Sequence, residues 1–350
     1  MTSVASDPTV SPWVGGLLDS FGRKAEDLRI SLTDKCSLRC TYCMPAEGLQ
    51  WLAKDRVLSD EEIVRLASIF VALGVNSIRL TGGEPLVRPG VAELVARLSA
   101  LDPRPELSLT TNALSLADKA AALVSAGLDR VNVSLDTLDR ARFAELTRRD
   151  RLDDVIAGLH AAAAAGLNPV KINAVLMREI NLAEAPELLE WALRAGFEMR
   201  FIEHMPLDAQ HAWTRADMVT AEEVLTVLEP RFTLRPIGHI ANAPAEEFEV
   251  LDGPGRAEWA ADQHRVGIIA SVTRPFCRDC DRLRLTADGQ LRTCLFAHRE
   301  TDLRGALRAG ASDDELARMI ATAVSAKAAG HAISAPGFRQ PDRPMSAIGG

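Results

Sequence analysis

The sequence predicts an α/β fold, a parallel sheet curved into an incomplete (β/α)6 barrel and followed by a C-terminal extension. Three observations predict it. From Leu28 onward, short runs rich in β-branched or apolar residues alternate with amphipathic runs, the signature of parallel strands joined by crossover helices. Gly74, Gly127, Gly166 and Gly196 each fall where a helix should end before the next strand. The alternation occurs six times, too few for a closed eight-fold barrel.

Taken in order, residues 1–27 hold small residues and prolines with little periodicity and are expected to form a mobile lead-in. The expected strands are 28–33, 77–81, 107–111, 130–136, 170–176 and 199–203. The expected helices are 60–73, 91–101, 117–126, 141–147 running on to 153–165, and 185–195. After Pro206 the alternation breaks down, and 207–335 is expected to be an extension packed on the barrel 28–206. It contains a helix at 221–228, an extended run at 265–273 and a helix at 313–329. Residues 336–350 read as a loop-like tail ending in Gly349-Gly350.

A net charge of −8 gives no basic footprint, which disfavours nucleic acid as a partner but leaves room for a local basic pocket. No run approaches the apolar length of a membrane span, and the N-terminus lacks a secretory pattern, so a cytoplasmic location is expected. The six cysteines fall into two groups of three, Cys36/Cys40/Cys43 and Cys277/Cys280/Cys294. Disulfide frameworks scatter cysteines through short chains, so this clustering favours metal or cluster ligation in a reducing compartment.

Cys36, Cys40 and Cys43 directly follow the first expected strand and supply three ligands where tetrahedral zinc or a four-iron cluster takes four. On spacing alone, a zinc site or buried thiols remain alternatives. The Cys-x3-Cys-x2-Cys spacing after a barrel's first strand resembles the radical S-adenosylmethionine (SAM) superfamily. That resemblance implies a [4Fe-4S] cluster whose open iron is chelated by SAM, and reductive cleavage of SAM to a 5′-deoxyadenosyl radical. It also implies a SAM pocket made by Tyr42, by Gly83 in Thr81-Gly82-Gly83-Glu84-Pro85, by Ser134 near Asp136, and by Met205. Each has an ordinary structural reading too: a βα turn for the glycines, a strand-end cap for Ser134, core for Met205.

Cys277-Arg278-Asp279-Cys280, thirteen residues, then Cys294 again gives three ligands, and 281–292 reads as a hairpin that returns Cys294 towards the other two. Zinc, with His298 as a fourth ligand, is the competing reading of this spacing alone. Joined to the first group, the pattern over residues 20–350 resembles the GTP 3′,8-cyclase family of molybdenum-cofactor biosynthesis. The matching stretches are 36–45, 81–86, 201–206, 275–280, 282–289 and 348–350.

The resemblance implies a second [4Fe-4S] cluster at Cys277, Cys280 and Cys294 whose open iron meets guanine. It implies GTP contacts at Arg29, Arg79, Thr110, Lys171, Arg282, Leu283 and Arg284, and a C-terminal Gly349-Gly350 reaching the active site. Arg284, Gly349 and Gly350 are accordingly assigned to catalysis. The implied reaction takes hydrogen from C3′ of the ribose and joins C3′ to C8 of guanine, giving 3′,8-cyclo-7,8-dihydro-GTP. Implied partners are an electron donor, cyclic pyranopterin monophosphate synthase as product acceptor, and a second copy in a homodimer.

A charge within a strand is costly unless paired, so arginines on separate strands make sense around a triphosphate, although a solvent-facing edge or an ion pair would explain any one of them. Two residues depart from the family pattern, Ala113 and Arg148, each standing where glycine is expected. If those positions need a positive φ, a side chain there is strained. Two other classes compete with this reading: a radical SAM peptide-modifying enzyme, which usually has more C-terminal cysteines, and a non-enzymatic iron–sulfur sensor.

Overall fold

The computed structural model describes residues 16–240, 242–260 and 264–349. All six expected strands form: β1 (Asp27–Ser31), β2 (Ser77–Thr81), β3 (Glu106–Thr111), β4 (Arg130–Ser134), β5 (Val170–Leu176) and β6 (Glu198–Glu203). The later part adds β7 (Thr233–His239), β8 (Glu246–Asp252), β9 (Arg265–Ile269), β10 (Arg282–Leu285), β11 (Gln290–Arg292) and β12 (Thr301–Asp302). Among the described residues they make one open sheet in the order β12-β11-β10-β1-β2-β3-β4-β5-β6-β9-β8-β7.

The extension is therefore built into the sheet as well as packed against it. β10 pairs parallel with β1 at one edge and β9 parallel with β6 at the other, lengthening the parallel array from six strands to eight. The segment joining β9 to β10 runs from one edge of the array to the other and carries Cys277 and Cys280.

Strands β1 to β4 alternate strictly, and β5 and β6 do so except at Val175 and Ile202. Leu28, Ile30, Ile78, Leu80, Leu107, Leu109, Val131 and Val133 are fully buried under the helices. Each such side chain contributes about 1.5–3 kcal/mol on burial. The intervening residues are polar, and strand register stacks them in rows: Arg284, Arg29, Arg79, Ser108 and Arg130 across β10-β1-β2-β3-β4, and Thr110, Asn132, Lys171 and Glu198 across β3-β4-β5-β6. Parallel strands are ordinarily apolar on both faces. Here the concave face is polar, so the barrel interior is a binding surface.

Helices begin where the sequence signals it. Ser59 with Glu62, Thr220 with Glu223, and Ser312 with Glu315 form reciprocal capping boxes. Gly74, Gly127, Gly166 and Gly196 all have positive φ at helix ends, as expected. The last long helix stops at Ser325 and not at 329, because the chain turns there to send Lys327 inward. Of the expected lead-in, residues 1–15 lie outside the described residues, while Leu17 is buried in the main core and Arg23 is tied to Asp19. No described helix is long and apolar enough to cross a membrane.

Candidate active site

β1 delivers the chain to the first cysteine loop, which docks on the end of the helix Arg140–Thr147. The Arg39 and Thr41 amides donate to the Thr147 and Leu146 carbonyls, at 3.0 and 2.9 Å. Those carbonyls are helix-terminal acceptors with no partner inside the helix. Arg148 then reaches back, Nη1 donating to the Arg39 carbonyl at 2.8 Å and the Met44 carbonyl at 3.1 Å, bracketing Cys40 and Cys43.

Both departures from the family pattern do sit at positive φ, Ala113 at 62° and Arg148 at 55°. Strain of about 1–2 kcal/mol at Arg148 is offset by its two guanidinium bonds. Arg148→Gly should therefore unfold at lower urea concentration than the parent, by about 1 kcal/mol. Arg148→Ala, which keeps the strain and loses the bonds, should be less stable still. An Arg148→Gly protein at least as stable as the parent, with Arg148→Ala equal to the parent, would show that the bracket contributes nothing.

The cysteines of this loop form no disulfide. The Cys36 sulfur accepts from the Leu38 amide at 3.4 Å and from Asn112 Nδ2 at 3.7 Å. Burial, then Cys36, pushes the Cys43 thiol up to about 12, and burial, then Cys43 and Asp136, raises Cys40. Three mutually repelling thiols in a buried loop are unfavourable as thiolates by themselves. A cationic iron core would reverse that balance, so the donor set fits a cluster.

Gly83 belongs to the loop after β2, and its missing side chain is used for chain packing. A Cβ there would lie 2.5 Å from the Asp34 carbonyl and would also strike that of Lys35. The Gly83 amide donates to the Thr33 carbonyl at 2.7 Å, so the two strand-end loops are locked backbone to backbone. Glu84 extends the lock to β3, accepting from Thr111 Oγ1 and the Asn112 amide, both at 2.7 Å.

A cavity of about 290 Å³ opens from this loop along the concave face. Cys36, Cys40, Tyr42, Cys43, Gly83, Ser134 and Met205 line one end. Tyr42 donates to Asp136 Oδ2 at 2.7 Å and sits edge-on to the His204 ring. Burial pushes the Asp136 carboxyl up to about 6, against the hydrogen bonds from Tyr42 and the Val175 amide. Arg29, Arg79, Thr110, Arg282 and Arg284 line the rest, together with Arg200, which the sequence reading did not single out. Arg200 had the same signal as Arg29 and Arg79, a lone charge on the polar phase of an apolar strand.

Five guanidinium groups around one cavity repel one another. Burial, then Arg79, brings Arg29 down to about 9, and burial, then Arg29, holds Arg284 far below its ordinary range. Arg29 Nε and Arg282 Nη2 are buried with no hydrogen-bond partner. Buried donors without partners on a cationic wall are what a polyanion would satisfy.

Two expected contacts fall elsewhere. Lys171 is salt-bridged to Glu198 and is not part of the cavity lining. The Leu283 side chain is fully buried in the core on the opposite face of β10 from Arg282 and Arg284, because alternate residues of a strand point opposite ways.

The second cysteine group stands behind the cationic end. Phe276 and Leu295, neighbours of Cys277 and Cys294, line the cavity, and Arg282 lies over the Phe276 ring at 4.4 Å. The hairpin β10–β11 forms as expected, with Gly289 at positive φ. Burial, then Cys294 and Cys280 among other causes, raises Cys277, so the three sulfurs share one neighbourhood. At Cys280 burial is outweighed by Arg282 and Lys327, and its thiol is lowered. Three cysteines beside cations likewise suit an anionic cluster. A larger open depression of about 640 Å³ between β11 and the helix Asp313–Ser325 includes none of these cysteines.

The tail enters the same cavity. Ile348 packs with Leu207, Met218, Val272, Phe296 and Ile333, and the Met345 amide donates to the Leu207 carbonyl at 2.9 Å. Arg343 grips buried Asp288 through both terminal nitrogens at 3.0 and 2.9 Å. The Gly349 carbonyl accepts from Arg284 Nη1. Gly350 lies outside the described residues.

Residues 30–192 match the Radical SAM superfamily and residues 197–333 match Molybdenum Cofactor Synthesis C. Fold and site thus define a radical SAM enzyme whose C-terminal part is of the molybdenum-cofactor type. A GTP 3′,8-cyclase of Streptomyces coelicolor is 60% identical over 337 residues, covering 95% of this chain and 96% of that one. One from Mycolicibacterium smegmatis is 55% identical over 342 residues, covering 97% and 93%. The chain belongs to the GTP 3′,8-cyclase family. Among solved structures, Streptococcus suis SuiB bound to precursor peptide SuiA overlaps 53% of this chain and 42% of that one, at 22% identity and TM-score 0.45.

Proposed function

We propose that this enzyme converts GTP to 3′,8-cyclo-7,8-dihydro-GTP, an early step of molybdenum-cofactor biosynthesis, with SAM and GTP held in one cavity. The observation that carries the reading is a single cavity lined by the first cysteine triad, by five arginines and by Phe276 and Leu295, the chain neighbours of the second triad. Cys36, Cys40 and Cys43 would hold the cluster that binds SAM, and Cys277, Cys280 and Cys294 the second [4Fe-4S] cluster. When bound, the first cluster and SAM supply one-electron chemistry, hydrogen abstraction from an unactivated C–H bond.

The chain's own residues do the rest. Arg29, Arg79, Arg200, Arg282 and Arg284 present the cationic wall for the triphosphate, and Thr110 supplies a hydroxyl on the same face. Tyr42, held by Asp136, and Ser134 and Met205 form the SAM end. Gly349, held by Arg284, covers the space between and excludes water, which matters because a radical reacts with whatever is nearest. In this reading 28–206 carries SAM, 207–335 carries the second cluster and 336–350 closes the site. The enzyme works in the cytoplasm as a homodimer, takes electrons from an external donor and passes its product to cyclic pyranopterin monophosphate synthase.

The test is anaerobic incubation with SAM, reductant and GTP, followed by mass analysis for 5′-deoxyadenosine and the cyclised nucleotide. Reconstituted protein should carry about eight irons. About four irons with one zinc would overturn the second-cluster assignment.

A further inference from the structure

Lys327 follows the helix Asp313–Ser325 and is only 4% exposed, which for an ammonium demands a compensating anion. Its Nζ donates to the Cys280 carbonyl at 2.7 Å and the Arg282 carbonyl at 3.0 Å, and lies 3.8 Å from the Cys280 sulfur. No carboxylate forms a salt bridge with it among the described residues. The carboxylates near it are engaged: Asp19 with Arg23 at 2.5 Å, and Asp281 beside Arg282 at 3.7 Å. Arg23 adds further positive charge, donating to the Cys277 carbonyl at 2.7 Å. The neighbourhood therefore has more buried cations than carboxylates, with Lys327 the one left over.

The structure assigns Lys327 as the counter-ion of the second cysteine triad, a positioning residue that both balances the charge of a bound iron–sulfur cluster and fixes Cys280 at the entrance to β10. The assignment rests on the triad being a cluster site. Three thiolates around a [4Fe-4S] core leave the assembly net negative, and more so after reduction. A buried ammonium beside one ligand sulfur stabilises both states, the reduced one more, so it raises the reduction potential and slows loss of the cluster. The two carbonyl bonds add the geometric part, because they tie the ligand Cys280 and the cavity residue Arg282 to one point.

The experiment uses the full chain with Cys36, Cys40 and Cys43 all changed to serine, so that only the second cluster is read. In that background Lys327 is compared with Lys327→Gln, which keeps a donor but no charge, and Lys327→Arg, which keeps the charge. After anaerobic reconstitution, iron content, loss of iron to a chelator and the midpoint potential by EPR-monitored titration are measured. The parent background should hold about four irons. Lys327→Gln should either lose the cluster to chelator at least tenfold faster or hold it at a more negative potential, and Lys327→Arg should restore most of the difference. Equal chelator loss and equal potential in the parent and Lys327→Gln would overturn the assignment. A parent background holding no iron, or zinc, would instead overturn the cluster reading of the triad. Circular dichroism of the apo-proteins separates these outcomes from misfolding, and if Lys327→Gln does not fold, a Lys327→Arg protein indistinguishable from Lys327→Met in both chelator loss and potential overturns the charge argument.

Discussion

Changing Arg282 and Arg284 together to alanine is expected to weaken GTP binding by about 10²- to 10⁴-fold while leaving reductive SAM cleavage measurable. Hydrogen bonds to charged groups contribute about 1.5–3 kcal/mol each, so two lost contacts amount to roughly 3–6 kcal/mol, with tenfold in affinity for every 1.4 kcal/mol. Both side chains are buried, Arg282 at 8% and Arg284 at 5% exposure, so water cannot replace what they give an anion. The pair also repels Arg29 in the free protein, and its removal should not cost the ligand-free fold what it costs the complex. Anaerobic equilibrium binding of GTP, with 5′-deoxyadenosine formation assayed in parallel, is the measurement. Normal GTP affinity together with lost SAM cleavage would place these arginines at the wrong substrate.

Gly349→Ala should reduce formation of the cyclised nucleotide at least tenfold, with little change in global stability. Gly349 has φ 89° and ψ 109°, a conformation that side chains rarely adopt. An added Cβ would stand 2.5 Å from Thr81 Oγ1 and 3.1 Å from the Ser31 Cβ. Backbone strain of about 1–3 kcal/mol and overpacking of a similar size exceed what one carbonyl bond to Arg284 can hold. The tip is then expelled, while Ile348 and the Arg343–Asp288 pair keep the preceding residues in place. Product formation under anaerobic turnover and urea unfolding on the same samples check both halves. An unchanged rate would mean that the tip's position inside the cavity is incidental.

How much of this was legible beforehand differs from element to element. The six barrel strands and their helices were readable because alternation and helix-ending glycines are local signals. No local signal places β9 and β10 in the barrel: they follow the point where strand–helix alternation ceases, and nothing local says that residue 282 pairs with residue 27. Lys171 and Leu283 show the limit of carrying residues over by resemblance. The first is drawn to Glu198, and the second faces the core. Arg200 was legible in principle, from the same polar phase of strand alternation that exposes Arg29 and Arg79 to the cavity.

The sequence by itself determined the chemistry of the ligands. Three cysteines within eight residues, a CxxC with a third cysteine after a hairpin, and glycines that admit close backbone packing are short-range facts that hold in any fold. Tertiary structure alone decided that the first triad and the chain neighbours of the second, Phe276 and Leu295, line one cavity, that five arginines from β1, β2, β6 and β10 share its wall, and that the tail is held by Arg284 of β10 and by Asp288 in the turn that follows it. The reason is the sheet. Parallel pairing of β10 with β1 and of β9 with β6 joins segments some 250 and 65 residues apart in the chain, and no local pattern encodes which edges meet.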